Sequence, residues 1–98
     1  MKVFSVLDIK AECFGAPFFQ LNNAVAQRII QNMVNDRTTQ VGMNPEDYQL
    51  YCIGEWNDQD GVITPTKSKV LDVITLQKQP ELPITPVDPT DPNLTSRN

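Results

Sequence analysis

With no histidine among its 98 residues, this chain lacks the usual general base, the usual imidazole metal ligand and any Ser-His or Cys-His nucleophilic pair. Chemistry would have to come from carboxylates, two cysteines and a few cations and rings. Cys13 and Cys52 form no CxxC pair and have no histidine to complete a zinc set, so both are expected to be buried thiols without a disulfide. Asp58-Gln59-Asp60-Gly61 looks like the start of a calcium loop. An EF-hand, however, needs an acid where Trp56 stands and a bidentate Glu where Lys67 stands, so a hairpin turn is expected, with at most a weak surface cation. Glu12 and the pair Glu46-Asp47 are the other clustered acids, and nothing suggests a cleft that would split their pKa values for acid–base work. The glycines at 15, 42, 54 and 61 are isolated, so no run cradles a phosphate. Neither a cofactor nor a catalytic activity is expected.

Nucleic-acid binding is the chemistry left to weigh. Lys67 and Lys69 flank Ser68 in what reads as a loop, Arg28 sits at the middle of a polar helix face, and Arg37 lies just past that helix. These four could touch phosphates, while Tyr51 and Trp56, on a strand, could stack bases. Each has a plainer account. Cations on a surface are solvated, Arg37 is also favoured near a negative helix end, and rings at strand spacing are commonly core. Charge argues against a simple polyanion binder, because 8 basic residues face 12 acidic ones, for a net charge of −4 and a pI near 4.5.

The elements that must position these groups are legible from periodicity. Residues 2–9 carry apolar side chains on both faces, which predicts a central strand. Residues 14–19 hold Pro17 among aromatics and read as an irregular or edge strand with its rings in the core. In residues 22–35 the apolar positions Val25, Ala26, Ile29, Ile30, Met33 and Val34 share one half of a helical wheel. This predicts an amphipathic helix capped by Asn22 or Asn23. Residues 35–45 lack a period and suggest a loop or a loose extra turn. Residues 48–56 and 62–64 form a hairpin about the Asp60-Gly61 turn, with Tyr48, Leu50, Cys52 and Trp56 on one face and Gln49, Tyr51, Ile53 and Glu55 on the other. Residues 64–69 are expected to break the ladder and residues 70–76 to form a further strand. The fold class is therefore α+β: a small, mostly antiparallel sheet of three to four strands, with one amphipathic helix packed on one face.

Five of the eight prolines fall after residue 79, at positions 80, 83, 86, 89 and 92, which separates a domain at 1–78 from a proline-rich, disordered tail at 79–98. In polyproline II these prolines would line one edge of a rod about 40 Å long. Such a segment is either a solvated tail or a ligand for an aromatic groove. The start of the chain has neither a signal-peptide pattern nor a membrane span, so no membrane contact is expected.

Met1-Lys2-Val3-Phe4-Ser5-Val6 with Asp8, Lys10-Ala11-Glu12, Pro17-Phe18-Phe19, Asn35-Asp36 with Thr39-Gln40, Pro45-Glu46-Asp47-Tyr48, Ile53-Gly54-Glu55 and Gly61 together carry a resemblance. Over roughly residues 1–64 the chain resembles the small nonstructural protein of gokushoviruses, single-stranded-DNA phages of the Microviridae. The resemblance implies a non-virion protein in the cytoplasm of the infected bacterium. It also implies DNA binding, with a role in the switch from double-stranded replicative form to single-stranded genome synthesis and packaging. No contact residue is carried over from it. An acidic protein in that role needs a local positive face, assembled for example in a homodimer, or binding mainly by stacking. A third route is a protein-interaction module that engages the phage replication initiator or host replication proteins without touching DNA. A contiguous positive face joining Arg28 to Lys67 and Lys69 would favour DNA, single-stranded DNA first, as the partner; divided cations would favour the module.

Overall fold

The computed structural model describes residues 1–77, so the tail at 79–98 and its period-three prolines lie outside the described residues. Strand β1 (Lys2–Asp8) is central, as its two-sided apolar pattern predicts. It pairs along one edge with β4 (Tyr48–Trp56), while β2 (Cys13–Phe14) and β3 (Phe18–Gln20) share its other edge. Strand β5 (Ile63–Asp72) closes the far side against β4. Among the described residues all four pairings are antiparallel, and the sheet has five strands where three to four were expected. The excess comes from residues 13–20, which form two strands too short to show an alternation.

Helix α1 (Asn23–Val34) lies on one face of the sheet. Asn22 caps it, its side-chain oxygen accepting a hydrogen bond from the Val25 amide at 3.0 Å. The helix buries Ala26, Ile30 and Val34 against Phe4 of β1 and Leu50 and Cys52 of β4. Phe4, Ile30 and Leu50 are sealed from solvent, and burial of each such side chain contributes about 1.5–3 kcal/mol. A one-turn helix, α2 (Gln40–Met43), adds Val41 to this core, in the stretch read as a loop or loose turn.

Two expectations in the last strand region need correction. Residues 64–69 interrupt the ladder only by a register shift, with Thr66 and Lys67 opposite Ile53, while β5 itself continues through Pro65, Lys67 and Lys69 as an edge strand. A proline on an edge strand leaves the sheet intact when its missing N–H faces outward. Residues 73–76 then leave the sheet as a 3-10 turn, whose Val73 is fully buried in the core under α1, while the Thr75 hydroxyl donates back to the Asp72 carbonyl at 2.7 Å. Helix-side packing wins over β-propensity there.

The Asp58–Gly61 segment is the expected hairpin turn. The Asn57 and Asp60 side-chain oxygens accept from the Gln59 and Val62 amides at 2.8 and 2.9 Å, and Gly61 takes φ 74°, a left-handed conformation suited to glycine. Among the described residues, no helix is long and apolar enough to cross a membrane.

Candidate nucleic-acid interface on the open sheet face

Among the described residues no helix covers the sheet face turned away from α1, and three register shifts decide which side chains reach it, one of them placing Thr66 and Lys67 opposite Ile53 between the pairs Cys52–Ser68 and Gly54–Pro65. Phe4 pairs with Cys52 but Val3 with Gly54, so β4 carries one extra residue, Ile53. Beyond that point its alternation inverts. Trp56, which simple alternation places with Leu50 and Cys52, therefore projects from the opposite face and meets Phe19 edge-to-face, with centroids 5.8 Å apart and planes at 74°. The second bulge is at Val70: Leu50 pairs with Leu71 but Tyr51 with Lys69. It turns both Val70 and Leu71 toward the core and sets Lys69 beside Tyr51 on the open face.

Tyr51 meets Phe14 in a second edge-to-face pair, at 5.3 Å and 79°. The Lys67 ammonium lies 5.3 Å from the Phe14 centroid and 5.9 Å from that of Tyr51. Between the ring pairs, Ser5 is completely buried and donates its hydroxyl to the Gly15 carbonyl at 2.8 Å, which ties the β2 end to β1. Phe14 and Phe19 remain 40% and 42% exposed, so part of each side chain is accessible from this face. Tyr51 and Trp56 are half-buried beside them.

A polar group adjoins the rings. Gln49 donates to Asp72 at 2.9 Å and lies 3.5 Å from the Tyr51 hydroxyl, while Lys69 reaches both Asp72 oxygens at 3.2 and 3.3 Å. The Gln49 hydrogen bond and, after it, Lys69 hold the Asp72 carboxyl below its ordinary value. Lys69 is thus already paired, which leaves Lys67 as the cation placed over the rings.

The six residues singled out from the sequence divide between two layers. Tyr51, Trp56, Lys67 and Lys69 share the open face. Arg28 is exposed on α1 and Arg37 is exposed just past it, in the helical layer on the other side of the sheet. Lys67 and Lys69 stand on a strand, not in a loop. Phe14 and Phe19, expected in the core, are the open-face members that sequence reasoning missed, whereas Phe18 does face inward and stacks on Phe4 at 5.8 Å. Strand alternation alone requires Phe18 and Phe19 to point to opposite sides. Cys13 is likewise exposed rather than buried, while Cys52 is buried and both are free thiols. Among the described residues, no group of three or more His, Cys, Asp or Glu side chains is placed to hold a metal ion.

Fold and face together define a small α+β protein with one helix-covered and one open aromatic sheet surface. The family model described as Phage ORF5 protein matches residues 1–77, and the chain belongs to that phage protein family. No curated protein and no solved structure matches it.

Proposed function

We propose that this phage protein is a non-catalytic accessory of genome replication that binds single-stranded DNA on the open face of its sheet. In this reading it acts in the infected bacterium's cytoplasm, in phages of the gokushovirus kind, at the switch from replicative form to single-stranded genome synthesis and packaging. The observation that carries the proposal is the pairing of two edge-to-face ring sets with Lys67 on one uncovered surface. Unstacked bases bind such rings, and a lysine beside them meets the phosphate that follows. Stacking has to supply most of the affinity, since the chain is anionic and Lys69 is engaged by Asp72.

Titrating a labelled oligothymidylate at low ionic strength tests the reading. Binding that weakens modestly with salt and quenches Trp56 supports it, because few phosphates are neutralised. Absence of binding at low salt removes it.

One observation favours a second reading. Arg28 and Arg37 lie across the sheet from Lys67 and Lys69, so these four cations do not share one face, as a protein-interaction module would have it. That module would engage the replication initiator or host replication proteins without touching DNA. Retrieval of one phage or bacterial partner by a tagged bait, after nuclease digestion, tests it.

A further inference from the structure

Helix α1 covers its sheet face incompletely. Between it and the β1 edge that carries β2 and β3 lies a cleft of about 630 Å³. Its walls are Val6, Phe18, Ile29, Met33, Val41 and Tyr48, and Asp8 and Cys13 also line it. Ile29, Met33 and Val6 are half-buried, so the helix stripe that reads as core is only partly covered by this chain.

Among the described residues that line it, Asp8 is the acidic side chain and none is Lys or Arg; the Asp8 carboxylate also accepts the Ala11 amide at 3.0 Å. Asp8 is the cross-strand partner of Tyr48 and Asp47 precedes it in the chain, and burial first, then these two charges, raise the pKa of the Tyr48 phenol. Lys10 is the cation nearest along the chain, in the exposed turn after β1.

We propose that this cleft seats an amphipathic, basic helical segment of a partner protein, its apolar side chains between α1 and β1 and its cations toward Asp8. The inference deepens the protein-interaction reading and is independent of the open face. Charge selects the occupant: a nucleic acid is a polyanion, a second copy of this chain carries −4, and residues 79–98 carry three acids against one cation. Backbone geometry selects a helix over an added strand. β2 and β3 are two and three residues long and are separated by Pro17, so the sheet offers no continuous edge there. The volume suits about three apolar anchors at i, i+3 or i+4, and i+7.

The exposed Cys13 thiol reports occupancy, since Cys52 is buried and reacts slowly. The full chain is panned against a library of short random peptides, and the selected peptides are assayed for binding and for shielding Cys13 from iodoacetamide. The expected winners carry helically spaced apolar residues with Lys or Arg flanks. They slow Cys13 alkylation about tenfold at saturation and bind about tenfold more weakly to Met33→Glu and Asp8→Asn. Asp8→Asn keeps an acceptor for Ala11, so it remains decisive if Met33→Glu unfolds. No winners, acidic or uncharged winners, or shielding by oligothymidylate or by raised protein concentration alone would overturn the inference. Winners that leave Cys13 reactive overturn the cleft while leaving an interaction elsewhere on the chain standing.

Discussion

The Lys67 ammonium lies 5.9 Å from the centroid of the Tyr51 ring, on the sheet face that α1 leaves uncovered. A cation over a ring at an exposed site contributes about 0.5–1 kcal/mol, so Lys67→Ala should lower stability only slightly in a urea titration. Its effect on DNA should be larger in kind. If Lys67 meets one phosphate, removing it flattens the logarithmic salt slope of single-stranded DNA binding by about 0.7. An unchanged slope would place the phosphate contacts elsewhere.

Trp56 should carry stacking. Trp56→Ala is expected to weaken oligothymidylate binding by about 1–3 kcal/mol, the range for one stacked base. Arg28→Ala, in the helical layer, should leave the affinity where it was. Anisotropy titrations of both variants separate the two layers, and a larger loss at Arg28 would move the site to the helix side.

How much of this was readable beforehand depends on the residue. Helix α1 and a cap at Asn22 or Asn23 followed from a 3.6 period and a side chain suited to an orphan amide, both local properties, and the structure chooses Asn22. The central place of β1 followed from its apolar residues on both faces. The face of Trp56 did not, because one extra residue at Ile53 inverts everything after it and leaves no mark on composition. Residues 64–69, with Pro65, look like a break because a sequence does not say whether a strand lies at an edge. The open-face pairs Phe14–Tyr51 and Phe19–Trp56 join residues 37 apart in sequence, and such contacts come from sheet register, not from local pattern.

Gly42 is held to glycine by space. A Cβ there would collide with the Asp36 carbonyl, which already accepts the Thr39 amide at 3.1 Å and hydroxyl at 2.8 Å. Gly42→Ala should therefore cost about 1–3 kcal/mol by overpacking. Gly15→Ala is the control, since its nearest neighbour, the Val6 carbonyl, would be at an ordinary 3.6 Å and the change should stay within about 0.5 kcal/mol. Urea midpoints of the two variants give the comparison.

Asn22→Ala removes the acceptor for the Val25 amide and should cost about 1 kcal/mol. Asn22→Ser, which retains a capping oxygen, should recover most of it. Equal losses for both would mean that the cap contributes through packing and not through the hydrogen bond. Thermal melts followed by circular dichroism distinguish these outcomes.

Acid should loosen the β4–β5 edge through Asp72. Its carboxyl is held below the ordinary value of 3.8 by the Gln49 hydrogen bond first and by Lys69 next. A group whose folded-state pKa is depressed stabilises the fold fully above its unfolded value and loses that contribution as pH falls through the folded one. Asp36, lowered by the Thr38 hydroxyl and amide, acts with the same sign. Asp72→Asn keeps an oxygen for Gln49 but loses the charge facing Lys69, so it should be less stable than the native chain at neutral pH. The two urea midpoints should converge as pH falls below 3.8, because protonation makes the native residue as neutral as its replacement. A gap that persists once acid has protonated the native carboxylate would assign the difference to side-chain shape and not to ionisation.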